Sequence, residues 1–294
     1  MSTKAEVLEA CVDQPLETIL SLASTCSDKQ CERYMSRAAA EHGRADLLDY
    51  LLHNATTSLE PRGMLLLRSA GSRSKACVQV MLDHGYDINI VDDMIGGVLH
   101  RALGSNGCPA DFLTWLIARG ALVNHPADYT NDQVHCLCAA VSHGSVPLMR
   151  LLVAAGADVD ASKALHYAAW CGYVDRAVYL VDEAGADVDA PNGILMDAYY
   201  GFWAADPGST PLHVAAANSQ VKAAEFLLER GADVCARNAA GRTPREEVEY
   251  LAEIAKAKPI AKRWPRGQRW LACSFPEDHQ EVLALLRQWE SRNA

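Results

Sequence analysis

The stretch that decides the fold is residues 205–241, which read ADPGSTPLHVAAANSQVKAAEFLLERGADVCARNAAG. A Thr-Pro pair begins at Thr210, and a second one begins 33 residues later at Thr243. Self-similarity at this period is the signature of a helical solenoid built from stacked repeats. Because one such unit cannot bury its own apolar face, the rest of the chain is expected to contain more of them.

Each part of this stretch has a local structural reason. Thr210 can cap the start of a helix, and Pro211 suits the first helical position, where no amide proton is needed. The apolar residues 226–228 are expected to line a second helix, which Gly231 would end by adopting a left-handed conformation. The stretch therefore predicts two helices followed by an extended turn over residues 232–238.

The Thr-Pro-Leu-His sequence at 210–213, the alanine pair at 215–216 and the Gly-Ala-Asp-Val sequence at 231–234 resemble the ankyrin repeat. The resemblance implies an all-α ankyrin-repeat solenoid of stacked helix-turn-helix units with finger loops. It also implies that His213 hydrogen-bonds to the threonine hydroxyl and to nearby backbone. His100 and His166 recur at the same repeat position, so we expect all three histidines to be structural rather than catalytic.

Alignment on the position of Thr210 predicts about six to seven repeats. The predicted starts are Tyr34, Met64, Gly97, His135, Lys163, Thr210 and Thr243. Residues 1–32 are expected to form a degenerate N-terminal capping unit, and residues 33–250 the repeat array. Residues 251–294 are expected to form a C-terminal capping region with a basic linker and a closing amphipathic helix over His279–Trp289. Most of the variation in spacing falls in the loops between repeats, where a solenoid tolerates it.

The longest of these loops is an insertion over residues 190–205. It contains Asp197 and four aromatic residues within five positions: Tyr199, Tyr200, Phe202 and Trp203. Aromatic residues make up only 7% of the chain, so this density is unusual. Exposed Tyr and Trp side chains favour a binding surface because they offer large contact area at little cost in rotamer entropy. The alternative is that the rings pack locally against the neighbouring finger loop.

A second aromatic set belongs to the fifth repeat. Tyr167, Trp170 and Tyr173 follow His166 by one, four and seven residues, which predicts that they share one face of the first helix. The matching positions in the ankyrin family line the concave groove, so the resemblance places Tyr167 and Trp170 in that groove, beside the insertion. Packing in the core is the alternative for Trp170. His143 precedes a glycine on a turn expected to face the same groove, as a solvated residue or an acid/base group.

Composition argues against several classes of function. The chain has 294 residues and a net charge of −10, an acidic balance that argues against bulk binding to nucleic acid. It has no apolar run long enough to span a membrane and no apolar block typical of a signal peptide. The ten cysteines are scattered without zinc-ribbon spacing. We therefore expect an intracellular protein, cytoplasmic or nuclear, with reduced thiols, no metal and no cofactor.

One segment departs from the acidic balance. A run of basic residues between Lys256 and Arg269 contains no acidic residue and is interleaved with Trp264 and Trp270. Such a run is typical either of a solvated linker or of a segment that meets an acidic partner or single-stranded nucleic acid. Nucleic-acid binding is the less favoured of these interpretations.

Two hypotheses about function follow from these patterns. The first is a scaffold that binds another protein through its groove and its aromatic insertion. The second is a small-molecule-binding or catalytic repeat protein with an aromatic pocket near Trp170, for which His143, Asp197 and Tyr200 are the candidate acid/base groups. The sequence shows no nucleophile elbow, phosphate-binding loop or pair of metal ligands on a helix, so the first hypothesis is preferred and enzymatic activity stays open.

Overall fold

The computed structural model describes residues 2–28, 30–56, 59–92, 96–104, 107–124, 136–160, 163–192, 207–257 and 279–293. Over these ranges the protein is built from α-helices without a strand, apart from one isolated bridge between Asp92 and Gly96. The prediction of an all-α fold is therefore confirmed. In the same ranges no helix is both long enough and apolar enough to cross a membrane.

The chain divides into two compact units. The first comprises residues 1–126 and 134–139, and the second comprises residues 127–133 and 140–294. The first unit contains helices α1 (Lys4–Asp13), α2 (Leu16–Ser24), α3 (Cys31–His42), α4 (Ala45–Asn54), α5 (Arg62–Gly71), α6 (Lys75–Asp83), α7 (Val98–Leu103), α8 (Ala110–Ala118) and the start of α9 (Cys136–His143). Helices α1, α3, α5 and α7 pack successively on one another, and α4 packs on α6. This is the arrangement of stacked helix pairs that the repeat pattern predicts.

The second unit repeats this arrangement. It contains the end of α9, then α10 (Val146–Ala154), α11 (Ala164–Cys171), α12 (Val174–Val178), α13 (Pro211–Ala217), α14 (Val221–Glu229), α15 (Pro244–Ala257) and α16 (His279–Asn293). Helix α12 continues into a π-helical turn over Tyr179–Glu183. Helices α11, α13 and α15 pack successively, α12 packs on α14, and α16 covers α14 and α15.

The predicted repeat starts agree with the helices in the later repeats. Gly97, Lys163 and Thr210 are the residues that cap α7, α11 and α13. Pro244 begins α15 directly after Thr243, and His135 lies outside the described residues.

The first two predicted starts are wrong. Helix α3 begins at Cys31, three residues before Tyr34, and α5 begins at Arg62, two residues before Met64. Neither repeat has a Thr-Pro start, and Pro61 sets the start of α5 because its fixed φ suits the residue that precedes the helix.

The apolar pattern predicts that Leu151 and Leu227 lie between helices. Leu227 is completely buried, but Leu151 is half-buried and its neighbour Leu152 occupies the core instead. The alanine pairs of the first helices are also buried, which lets neighbouring helices approach closely. Gly231 has a φ of 90° and ends its helix in the left-handed region, as predicted.

In the last repeat, the contacts of the substituted residues account for the departure from the Thr-Pro-Leu-His pattern. Glu246 stands where His213 stands one repeat earlier, and its carboxylate accepts a hydrogen bond from the amide of Thr243 at 2.9 Å. Arg245 stands where a leucine is expected, and it forms an ion pair with Glu290 of α16 at 2.8 Å. The amphipathic helix predicted near the C-terminus is present as α16, whose buried side chains include those of Val282, Leu283 and Leu286.

Candidate functional site

A repeated hydrogen bond positions the turns that follow the second helices. In three of the Gly-x-x-x-Asp/Asn turns, the side chain of the last residue accepts a hydrogen bond from a backbone amide in the turn of the next repeat. The pairs are Asn89 with the amide of Leu122 at 2.8 Å, Asp160 with that of Asp187 at 3.0 Å, and Asp189 with that of Asp233 at 3.0 Å. These hydrogen bonds fix the distance between the turns of successive repeats within each unit.

The base of the insertion is closed by backbone hydrogen bonds. The amide of Asn192 donates to the carbonyl of Ser209 at 2.9 Å, and the amide of Gly208 donates to the carbonyl of Asn192 at 2.9 Å. The Asn192 side chain also accepts from the amide of Ser209 at 3.1 Å, and both residues are buried. Asn192, Gly208 and Ser209, on either side of the undescribed residues, therefore lie together on the second unit.

The aromatic residues proposed for the insertion lie outside the described residues. These are Tyr199, Tyr200, Phe202 and Trp203, together with Asp197. Most of the basic run between residues 256 and 269 also lies outside them. The roles expected for both segments stay predictions.

Helix α11 brings Tyr167 and Trp170 together. The two rings meet edge to face with centroids 5.5 Å apart, and both side chains are half-buried. The hydroxyl of Tyr167 is 2.9 Å from that of Ser142 on α9, which holds the tyrosine ring against the preceding helix. The neighbouring helix α13 has the small residues Val214 and Ala217 at the corresponding positions, so the aromatic pair has no bulky counterpart there.

Tyr173 does not share the face of Tyr167 and Trp170, and that expectation is wrong. Helix α11 ends at Cys171, and Gly172 turns the chain with a φ of 71°, so Tyr173 precedes the first residue of α12 instead. Its ring lies under the guanidinium of Arg176, 3.9 Å from the ring centroid. Arg176 in turn donates to the carbonyls of Val141 and Ser142 at the end of α9. Tyr173 is therefore part of the packing between the repeats.

His143 is the last residue of α9 and is exposed. It follows Ser142, which contacts Tyr167, in the sequence. No described contact gives it the third group that would orient it as an acid/base catalyst.

Two of the three recurrent histidines, His166 and His213, make structural hydrogen bonds, as predicted. The ring of His213 accepts from the amide of Thr210 at its Nδ1 atom, and its Nε2 atom therefore donates to the carbonyl of Arg242 at 3.0 Å. His166 is buried, and its Nε2 atom is 3.2 Å from the carbonyl of Ser209. Burial lowers the pKa of His166 to about 4 and also lowers the pKa of His213. Both rings are therefore neutral at physiological pH.

The cysteines near this site are not activated nucleophiles. Burial raises the pKa of Cys171 to about 11 and that of Cys136 to about 12. The thiolate is the nucleophilic form, and both groups are protonated at neutral pH. Every cysteine in the described ranges is a free thiol.

Two cavities occur in the first unit. One, of about 20 Å³, lies among Ile90, Val98 and Val123, and the other, of about 210 Å³, is lined by Arg33, Arg37 and Glu60 among others. The aromatic pair of α11, Tyr167 and Trp170, lines neither of these two cavities.

One group of side chains was missed by the sequence analysis. Asp49, His53 and His84 offer ligand atoms that all lie within 4.8 Å of one another. The Asp-x-x-x-His spacing within one helix is a readable signal, because residues four apart share a helix face. The third member comes from another repeat, so only the stacking of the helices completes the group.

Comparison with known proteins agrees with this architecture. Residues 99–192 match the family model for ankyrin repeats in three copies, and residues 207–239 match the model for a single ankyrin repeat. The crystal structure of the human ASB11 ankyrin repeat domain has a TM-score of 0.55 and 22% sequence identity, covering 78% of this chain and 98% of that one. At this identity the likeness shows the fold alone.

Several curated proteins are similar over part of the chain. The mouse nuclear factor NF-kappa-B p105 subunit is 32% identical over 162 residues, which cover 52% of this chain and 15% of that protein. The mouse CAP-Gly domain-containing linker protein 3 is 34% identical over 164 residues, covering 50% and 28%. The Danio rerio ankyrin repeat and SOCS box protein 11 is 33% identical over 157 residues, covering 48% and 46%. The chain thus spans less than half the length of each of these relatives.

The capped helix pairs, the repeated turn motif and the two family-model matches all lead to one assignment. The chain is an ankyrin repeat protein.

Proposed function

We propose that this protein is a scaffold that binds another protein through the Tyr167–Trp170 pair and the aromatic insertion that follows the fifth repeat. Ankyrin repeats generally mediate protein–protein interaction, and stacked repeats present extended surfaces suited to it. The observation that carries the proposal is the placement of the aromatic pair on the helix whose first turn contacts Pro191, at the start of the insertion, and Ser209, four residues after its end.

Helix α11 makes those two contacts at its start. The ammonium group of Lys163, which precedes the helix, donates to the carbonyl of Pro191 at 3.2 Å, at the beginning of the insertion. The ring of His166 is 3.2 Å from the carbonyl of Ser209, four residues after the insertion ends. Tyr167 follows His166 directly. The aromatic pair therefore lies on the same helix whose first turn contacts the residues that flank the undescribed part of the insertion.

The physical character of the pair suits recognition of a protein. Tyr167 and Trp170 are half-buried, so part of each ring is fixed by packing and part faces solvent. Their edge-to-face contact and the hydrogen bond to Ser142 reduce the entropy lost on binding, because the rings are already ordered. Tyr and Trp are also the residues most enriched among binding hot spots.

Replacement of the aromatic residues tests this proposal. Trp170→Ala, and separately the triple change of Tyr199, Tyr200 and Trp203 to Ala, should each abolish capture of the partner from a lysate of the source cells while the helical circular dichroism is retained. Trp115→Ala is the matched control, because Trp115 is a half-buried tryptophan on α8 of the other unit. Unchanged capture by both aromatic variants would refute the proposed surface.

A second candidate is a small-molecule site over the same aromatic pair. The observation that favours it is the contact at 2.9 Å between the hydroxyl groups of Tyr167 and Ser142, where the Tyr167 ring also meets the ring of Trp170. An aromatic wall with a few polar groups is the usual composition of a ligand site. A thermal-shift screen of metabolites should then give a hit that is lost in Trp170→Ala and kept in Trp115→Ala. A screen without such a hit would leave protein binding as the function of this surface.

A further inference from the structure

A cluster of two histidines and one aspartate lies between two neighbouring repeats of the first unit. Asp49 and His53 are four residues apart on α4, and His84 directly follows the last residue of α6. Helices α4 and α6 pack against each other. The contact between the two repeats therefore brings together three side chains that are up to 35 residues apart in sequence.

The carboxylate of Asp49 is at the centre of this cluster. Its Oδ1 atom is 2.8 Å from Nε2 of His84 and 3.3 Å from Nδ1 of His53. The two imidazole rings meet edge to face, with centroids 4.4 Å apart. Ligand atoms bound at about 2.0–2.1 Å to a tetrahedral zinc ion are about 3.3 Å from one another. The two distances to the carboxylate are close to this value, and all three donor atoms lie within 4.8 Å of one another. Nδ1 of His53 is also 3.0 Å from the backbone carbonyl of Asp49, a contact that the ion would replace.

We propose that Asp49, His53 and His84 form a binding site for a divalent transition-metal ion, Zn²⁺. Two imidazole nitrogens and one carboxylate oxygen are a donor set that zinc accepts readily, whereas Ca²⁺ and Mg²⁺ prefer ligand sets made of oxygen. The Asp49 and His53 side chains are 51% and 62% exposed, and that of His84 is 19% exposed. Water can therefore complete the coordination from the solvent side.

The site has a structural consequence. Its ligands come from two repeats, so only the folded chain presents them together, and an ion that binds the folded state alone stabilises it by mass action. Zinc would join the second helices of the two repeats at the surface. The site lies in the other compact unit from Tyr167 and Trp170, so this inference stands independently of the proposed function.

Titration of the full chain with zinc tests the proposal. After removal of metal with a chelator, Zn²⁺ alone should bind in isothermal titration calorimetry and raise the temperature of thermal unfolding, and excess EDTA should reverse the rise. His53→Ala should weaken zinc binding by more than about 100-fold, since loss of even an outer-shell partner costs about 10–100-fold. His53 is exposed, so its removal leaves the core intact.

The control variant is His42→Ala. His42 is an exposed histidine at the end of α3 in the same unit, and its removal should leave zinc affinity unchanged. Asp49→Asn is a second ligand variant, and it should weaken zinc binding as well because the carboxylate charge is lost.

Three results would overturn the proposal. The first is no zinc binding by the parent chain, and the second is equal affinity in His53→Ala and the parent. The third comes from Co²⁺ used in place of Zn²⁺: strong charge-transfer absorption from thiolate ligation would place the ion on cysteines, whereas the proposed nitrogen and oxygen ligands give none.

Discussion

The carboxylate of Asp189 accepts a hydrogen bond from the backbone amide of Asp233 with both of its oxygens, at 3.0 and 3.1 Å. Asp189 ends the turn of the fifth repeat, and Asp233 lies in the turn of the sixth. Asp233 in turn accepts from the amide of Cys235 at 2.8 Å, within its own turn. The turn of the sixth repeat is thus ordered by its own aspartate and held by the aspartate of the preceding repeat.

We predict that Asp189→Ala lowers the free energy of unfolding by about 1.5–3 kcal/mol, the usual contribution of a hydrogen bond to a charged group. Asp189→Asn should cost less, because it keeps an acceptor oxygen, as Asn89 does at the matching position of an earlier repeat. Urea unfolding followed by circular dichroism measures both changes. Equal losses in the two variants would contradict the hydrogen-bond explanation.

A second prediction concerns pH. Burial lowers the pKa of His166 from an ordinary value of 6.5 to about 4. Between these two pH values the His166 ring is mostly neutral in the folded chain and mostly protonated in the unfolded chain. The stability that depends on this neutral ring is complete above pH 6.5 and is lost as the pH falls toward 4. Between about pH 7.5 and about pH 5 the loss due to His166 should be about 2 kcal/mol.

Urea unfolding at a series of pH values measures this loss. His166→Gln keeps a polar side chain but removes the titrating group, so its stability should fall by less over the same range. A decrease of the same size in the variant would assign the pH dependence to other groups, of which His213 is the first to test because burial lowers its pKa as well.

The fold could be predicted from the sequence because the signals that specify it are local. Thr210, Pro211 and Gly231 each determine the backbone at their own position, and their repetition at a fixed period predicts the stacking. The wrong starts at Tyr34 and Met64 occur where this local signal is missing. There, packing on neighbouring helices sets the boundaries.

The candidate site was less accessible to sequence reasoning. Tyr167 and Trp170 were found because they share a helix face, but the same periodicity placed Tyr173 on that face, beyond the glycine that ends the helix. The contact of Tyr167 with Ser142 and the cluster around Asp49 join different repeats. Such pairings depend on how the helices stack, which periodicity within one helix cannot specify.

The glycine that ends α11 gives a third prediction. Gly172 has a φ of 71°, and a Cβ atom there would collide with Oε1 of Gln220. Gly172→Ala should therefore cost the strain of a left-handed alanine, about 1–2 kcal/mol, and a further amount to displace Gln220. Gly231 has a φ of 90°, and a Cβ atom there would meet nothing within 4 Å, so Gly231→Ala should cost the strain alone.

The double variant Gly172→Ala with Gln220→Ala separates the two contributions. Compared with Gln220→Ala alone, it should lose about as much stability as Gly231→Ala does, because the side chain that the new methyl group would meet is gone. If the loss due to Gly172→Ala is the same with and without Gln220, the close approach to that side chain contributes nothing.

A fourth prediction uses two adjacent leucines in α10. Leu152 is completely buried, as is Leu227 in α14, and truncation of either to alanine should cost about 2–5 kcal/mol through loss of apolar burial and creation of a cavity. Leu151 is half-buried, so Leu151→Ala should cost much less than this range. The urea midpoints of the three variants, compared at a constant m-value, measure the difference. If Leu151→Ala and Leu152→Ala were equally destabilising, both side chains would have to lie between helices, and the helix would be rotated about its axis relative to the orientation described here.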